Sequence, residues 1–248
     1  MSKVLVVGDS CTDVFIYGKV DRLCPEAPVP VINPIDRQEN GGMANNVKSN
    51  LEALGVEVDI ITNSNDIRKT RYIDNSSNQM VLRVDEFDKC NRISKEQLYE
   101  LEYNCWGYDA IIISDYCKGF LNEKDIEIIC KSNENVFIDT KKKLGDWIKE
   151  ADFIKINNLE HEKNFEIIPN YPELEYKLII TQGKNGCVYK GKVFPVEEVP
   201  VKDVSVAGDT FLSGLVVEYL KSKDIGRAIN FAQKCTTIVV QKHGVATI

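Results

Sequence analysis

Residues 203 to 214 read DVSVAGDTFLSG. Two small residues, Ala207 and Gly208, lead into a carboxylate, Asp209, at the head of an apolar run with helical spacing. The first amide groups of a helix lack partners within it, and the helix dipole favours negative charge there. Residues as small as Ala207 and Gly208 let an anion reach those amides. A carboxylate at Asp209 beside such a cradle can accept a proton from a hydroxyl that attacks a phosphoryl group. The competing reading is an aspartate that merely caps its own helix.

Other residues could do chemistry of the same kind. In GGMANN (41–46) the glycines Gly41 and Gly42 permit close backbone approach to a ligand, and Asn45 offers both donor and acceptor to hydroxyls. A tight turn explains the run equally well. Asp13, in VGDSCTD (7–13), is placed to grip vicinal hydroxyls or to sit solvated in a loop. NNLE (157–160) offers Asn157 and Glu160 to phosphate or, through water, to a hydrated magnesium ion; a simple helix start accounts for it as well. TQGKNG (181–186) puts Thr181, Gly183 and Gly186 in a loop fit for a nucleotide or for a hairpin turn. Arg71, Arg83 and Lys118 are cations suited to a substrate phosphate, or to surface solvation.

The elements that must position these residues follow from periodicity. Short apolar runs at 3–9, 57–62, 109–115, 135–140, 152–157 and 176–181 read as strands. Helical spacing at 42–55, 122–132, 208–221 and 225–240 supplies crossovers; Phe211, Leu212, Leu215, Val216 and Tyr219 face inward on one, Ile229, Ala232, Cys235 and Val239 on another. The alternation predicts an α/β fold with a mostly parallel sheet and sites beyond the carboxyl ends of the strands. Two stretches break it. Residues 14–35 alternate and carry four prolines, which suits edge strands. Residues 70–85 read as a hairpin around Asn75-Ser76-Ser77-Asn78. Together they predict a small β lid on a single domain spanning 1–248.

Composition narrows the classes. The chain has 248 residues, 31 Lys plus Arg against 38 acidic, and a net charge of −7. That balance argues against nucleic acid and membrane surfaces as partners. Nothing approaches the ~20 apolar residues of a membrane helix, and the N-terminus has no signal-peptide pattern, so a cytoplasmic protein is expected. Eight cysteines form no C-x-x-C pair and only two histidines accompany them, which disfavours zinc. No P-loop pattern is present, and VVGDSCTD has only Gly8 where a dinucleotide fingerprint needs three glycines.

In order and placement these pieces resemble the ribokinase-like (PfkB) carbohydrate kinases over essentially the whole chain. GGMANNVKSNLEALG is similar to that family's first signature, DVSVAGDTFLSG to its second, and NNLE to its N-x-x-E motif. Within the family, GDSCTDVFIYGKVDRLCPEAPVPVI, NQMVLRVD, SDYCKGFL and IDTKK resemble the D-glycero-β-D-manno-heptose-7-phosphate kinases, the kinase module of the bifunctional heptose enzyme of lipopolysaccharide precursor synthesis. The resemblance implies a ribokinase-like three-layer sandwich with ATP and Mg²⁺ as cofactors. It implies Asp209 as the base acting on the anomeric hydroxyl, with the Ala207, Gly208 and Asp209 amides as the anion hole. Asp13, Gly41, Gly42 and Asn45 would hold the sugar, and Arg71, Arg83 and Lys118 its phosphate. Asn157 and Glu160 would organise Mg²⁺ and the nucleotide phosphates, Glu160 through water. Thr181, Gly183 and Gly186 would line the nucleotide site, with Gly244 near the adenine. Strands 14–20 and 29–33 of the lid would pair with a second subunit, giving a homodimer.

Two departures accompany the likeness. The second signature usually reads G-A-G-D, and Val206 stands at its first glycine; if that position needs positive φ, a β-branched residue is strained there. After DIIT the chain passes almost directly to the lid hairpin, which predicts a sheet shortened at one edge. The readings left open are a kinase of another sugar or sugar phosphate, and a non-catalytic binder that keeps the fold.

Overall fold

Val4–Val7, Ile111–Ile113, Val136–Ile138 and Ile154–Ile156 are buried on both sides, the pattern of strands covered by helices on each face. In the computed structural model, which describes residues 2–242 and 247–248, these runs lie side by side. β1 (Lys3–Gly8) pairs in parallel with β4 (Glu57–Thr62) and β7 (Ala110–Asp115); β8 (Val136–Thr140), β9 (Phe153–Asn157) and β10 (Leu178–Thr181) continue the parallel series. Two short antiparallel strands, β11 (Cys187–Tyr189) and β12 (Lys192–Phe194), complete an eight-stranded sheet in the order β12-β11-β10-β9-β8-β7-β1-β4.

Period-two alternation sends side chains to two cores. Ile111 and Ile113 pack with Leu101, Ile126 and Ile129, from α2 (Lys95–Tyr103) and α3 (Glu123–Cys130). Ala110 and Ile112 pack on the other face with α1 (Ala44–Ala53), α5 (Ala207–Ser222) and α6 (Ile225–Val239). The inward residues expected on α5 and α6 are buried, Tyr219 only partly. The short helix α4 (Asn158–Lys163) follows β9 directly.

A second sheet has the order β3-β2-β5-β6. β2 (Ser10–Leu23) and β3 (Pro30–Met43) form a long antiparallel pair; β5 (Arg68–Asp74) and β6 (Gln79–Glu86) form the expected hairpin. β3 is the edge strand, which accommodates Pro30 and Pro34. It is longer than expected and runs through Gly41 and Gly42, so those glycines end a strand and make no turn. The reversal into α1 falls on Met43, at φ 57°, a conformation uncommon for a residue with a side chain.

Among the described residues β4 has one neighbour and forms the edge of the large sheet. Glu57 and Asp59 on it pair with Lys3, and charged edges resist pairing with a foreign strand. Three elements are absent from the sequence expectation: α2, which Ser94 and Gln97 start with a reciprocal capping box, and the strands β11 and β12.

Candidate active site

The head of α5 decides between the two readings of Asp209. The N-cap position is Val206, at φ −107° and ψ 1°, and among the described residues no side chain caps the helix. The strain expected from positive φ at Val206 is therefore absent. Asp209 does not cap either. Its carboxylate turns away from its own helix, where Oδ2 accepts from Asn46 Nδ2 at 2.8 Å and Oδ1 accepts from the Tyr116 hydroxyl at 2.7 Å. The group is 3% exposed. Burial pushes its pKa up to about 6; the Asn46 and Tyr116 hydrogen bonds pull it down, the Asp139 charge pushes it up, and Lys155 pulls it down.

The three-amide anion hole needs correction. The Ala207 N–H donates to Val204 O at 3.1 Å, closing the turn before the helix. The Gly208 and Asp209 amides have no backbone acceptor among the described residues, so two amides, not three, are left for an anion. A Cβ at Gly208 would lie 2.9 Å from Lys155 Nζ, which puts a buried cation beneath them. Lys155 pairs with Asp139, its partner across β8 and β9, at 2.6 Å. Burial alone pulls the Lys155 amine down; the charge and hydrogen bond of Asp139 outweigh it and the net direction is up.

In front of Asp209 opens a cavity of about 330 Å³. It gathers Asp209 with four other expected residues, Asp13, Arg71, Arg83 and Lys118. Cys11 and Asp13 project from one face of β2, Lys69 and Arg71 from β5 and Arg83 from β6, two residues apart where paired, as one face of a sheet requires. Asp13 Oδ1 accepts from Arg71 Nη1 at 2.5 Å, and the Arg71 guanidinium lies over the Phe15 ring. A Cβ at Gly42 would stand 2.1 Å from Asp13 Oδ2; the glycine makes room for that carboxylate. Arg83 pairs with Asp85 through two hydrogen bonds, and Lys118 Nζ lies 2.5 Å from Asp88 Oδ2.

Sequence reasoning missed several residues here. Asn46, and not Asn45, reaches Asp209; Asn45 packs against Gly41 and does not line the cavity. Asn50 donates to Asn46 Oδ1 and so turns the Asn46 amide toward Asp209. Lys69 and Lys141 line the cavity with Tyr116. Burial, then the neighbouring Lys118 charge, pull the Lys69 amine down. Cys11 also lines the cavity, and burial pushes its thiol up to about 12, which leaves it unreactive.

The remaining expected residues lie further along the same edge of the sheet. Asn157 and Glu160 form a reciprocal capping box at α4: Asn157 N donates to Glu160 Oε2 at 2.7 Å and Glu160 N to Asn157 Oδ1 at 2.9 Å. The helix-start reading is thus the local geometry. Glu160 Oε1 is left 3.6 Å from Lys141 Nζ. Among the described residues no cluster of three His, Cys, Asp or Glu side chains could hold a metal. A single carboxylate with one oxygen free of hydrogen bonds, though ion-paired to Lys141, still suits magnesium, which keeps much of its water. Thr181 ends β10 in register with Asn157. The loop after it turns through Gly183 (φ 56°) and Gly186 (φ 84°) into the antiparallel strand β11, so it is a hairpin turn. Gly244 lies outside the described residues.

The α/β sheet, the second sheet over its carboxyl edge and the buried carboxylate at a helix head define a class that the comparisons specify. Residues 60–248 match the model of the pfkB family carbohydrate kinases, and the chain belongs to that family. It is 30% identical over 292 residues to the "Bifunctional protein HldE" of a Nitratiruptor species, matching 99% of this chain and 63% of that protein. The chain thus spans under two thirds of this relative's length. Its fold is similar to Escherichia coli phosphofructokinase-2 in complex with potassium (TM-score 0.72, 11% identity, 99% and 94% of the two chains). It is also similar to Arabidopsis thaliana ribokinase complexed with ribose and ATP (TM-score 0.67, 14% identity, 98% and 94%).

Proposed function

We propose that this chain transfers the γ-phosphoryl group of ATP to a phosphorylated sugar, D-glycero-β-D-manno-heptose 7-phosphate, at O1. The observation that carries the reading is Asp209: a buried carboxylate between a two-amide anion cradle and a cavity ringed by Lys69, Arg71, Arg83 and Lys118. One end of such a cavity suits a hydroxyl about to lose its proton; the other suits an acceptor that already carries phosphate. The choice of heptose rests on the likeness to HldE over 99% of the chain.

In this mechanism Asp13 holds sugar hydroxyls and Asp209 takes the proton of the attacking hydroxyl as its oxygen bonds to the γ-phosphorus. The bond from that phosphorus to the β-γ bridging oxygen breaks, and ADP leaves. The Gly208 and Asp209 amides, with Lys155 beneath, face the charge of the transferring group. Glu160 would hold Mg²⁺ through water, and the ion would neutralise nucleotide phosphate charge. The likeness in fold to a ribokinase complexed with ATP supports ATP as the phosphoryl donor; Thr181 and Gly183 would line the nucleotide's place.

The second sheet acts as the lid, and it pairs with the lid of a second copy. Met80, Leu82 and Val84 alternate with the cavity-facing Arg83 and are exposed, an apolar face suited to burial between copies. The mass in solution by light scattering tests that point.

The deciding experiment is ADP release from ATP·Mg²⁺ with heptose 7-phosphate, run beside fructose 6-phosphate, ribose and the Asp209→Asn variant. Turnover with the heptose phosphate alone, lost in the variant, is expected. Turnover with another sugar moves the acceptor. Binding without turnover replaces the kinase reading by a binding one.

A further inference from the structure

Tyr116 follows β7 in a loop that two buried carboxylates hold in place. Asp9 Oδ2 accepts from the Tyr116 amide at 2.7 Å and from the Lys118 amide at 3.2 Å, and Asp9 Oδ1 accepts from the Phe120 amide at 3.2 Å. Asp9 is 1% exposed, and among the described residues no cation pairs with it. Asp115 Oδ1 accepts from the Cys117 amide at 3.1 Å, while Thr140 and Lys142 secure the same carboxylate. Cys117 and Gly119 take positive φ, at 58° and 112°, to follow this course. A loop fixed amide by amide delivers its side chains to set places. Here it delivers the Tyr116 hydroxyl to Asp209 Oδ1 at 2.7 Å.

We propose that Tyr116 is a positioning residue for Asp209: its hydroxyl fixes one carboxylate oxygen and favours the charged form that accepts the sugar's proton. The inference rests on the reading of Asp209 as the base. Burial first, and the Asp209 charge next, hold the Tyr116 phenol well above its usual range, so it is a donor. A carboxylate has about four acceptor sites; Tyr116 takes one on Oδ1 and Asn46 one on Oδ2, which leaves Asp209 able to accept again.

Other charged and titratable groups face Asp209 from every side. Asp139 on β8 and Lys155 on β9 act in opposite directions and pair with each other. Cys11 on β2 stays a thiol. Asp13, Lys69, Arg71, Arg83 and Lys118 line the same cavity. Lys141 lies over the Tyr116 ring, 4.6 Å from its centre. None of these donates a hydrogen bond to the Asp209 carboxylate among the described residues. Tyr116 and Asn46 are its direct partners.

The test is a ¹³C NMR titration of the full chain labelled at aspartate carboxyl carbons, with Asp209→Asn identifying the resonance. Tyr116→Phe, which removes one oxygen, should move the Asp209 midpoint up by about one pH unit, the scale of a hydrogen bond to a charged group. Fluorotyrosine at position 116, a stronger donor of nearly the same shape, should move it down and needs no loss of packing. A midpoint unmoved by both changes overturns the proposal. ADP release across pH is read in parallel, and the acid limb of kcat/KM should follow the NMR midpoint. If the unaltered chain turns over no sugar, the kinase reading fails, while the carboxyl titration still decides whether Tyr116 governs Asp209.

Discussion

Asn46 Nδ2 donates to Asp209 Oδ2 over 2.8 Å although 163 positions separate the two in the chain. The contact joins the first turn of α1 to the first turn of α5, the two segments that carry the glycine-rich runs. Each run alone has an ordinary explanation, a turn in one case and a helix cap in the other. Side by side they leave a buried carboxylate aimed into a cavity.

Replacing Asp209 by Asn should lower kcat by ~10²–10⁴ if the carboxylate is a general base. The side chain keeps its volume, so the KM values for sugar and nucleotide should change little. Steady-state ADP release from the variant checks both. A kcat within threefold of the parent would end the role of Asp209 as base.

The same residue sets a pH dependence whose sign is determined. Its pKa rises on folding from an ordinary 3.8 to about 6, so the folded chain holds that proton more tightly. The contribution to stability is full below about pH 4 and is lost as pH rises through about 6. At pH 7.5 the ionised, buried group then costs up to ~3 kcal/mol. Asp209→Asn should therefore be more stable than the parent by about 1–3 kcal/mol at pH 7.5, and by nothing below pH 4. Urea titrations at the two pH values measure the difference.

The strands and the two terminal helices were legible because β-branched runs and helical spacing are local signals, and the lid hairpin because Asn75–Asn78 is a polar turn between alternating strands. Of the site, Asp13, Arg71, Arg83, Lys118 and Asp209 were legible and do line one cavity. Lys69, Tyr116, Lys141 and Lys155 were not, since nothing local distinguishes a lysine that points into a cavity from one on the surface. Asn46 carries no local signal for the same reason: one step along a helix is a turn of about 100°, and only the placement of α5 shows that Asn46 is the one to reach Asp209. The anion hole lost Ala207 to a turn hydrogen bond with Val204 that no sequence pattern announces.

Gly42→Ala should act through Asp13. The new Cβ would stand 2.1 Å from Asp13 Oδ2 and 2.6 Å from Cys11 Sγ. Asp13 is held by Arg71 and cannot retreat without breaking that pair. The sugar KM should rise by ~10-fold, about the worth of one charged hydrogen bond. The ATP KM should stay within twofold, and initial-rate kinetics with each substrate varied separates the two.

Lys118→Ala should distinguish phosphorylated from plain acceptors. Lys118 Nζ shares Asp88 with Lys69, so its removal takes one cation from the cavity and leaves Lys69 bound to its carboxylate. The kcat/KM for a sugar phosphate should fall by ~10–100-fold, the range for one charge-assisted contact. With the unphosphorylated sugar the rate, already low, should be unchanged. Equal losses for both acceptors would place Lys118 in holding the loop and not in holding phosphate.

Val206→Gly tests the departure from the G-A-G-D pattern. Val206 is 3% exposed, lines the cavity and sits at φ −107°, a conformation that valine adopts without the strain of positive φ. Glycine there should relieve nothing: kcat should stay within about threefold, because the amides of the cradle belong to Gly208 and Asp209. Stability should fall by ~1–3 kcal/mol, from lost apolar burial and the freer unfolded backbone. Thermal unfolding and ADP release on one preparation measure both quantities. A tenfold gain in kcat would mean that the Val206 side chain, and not its backbone, narrows the approach of the phosphoryl group.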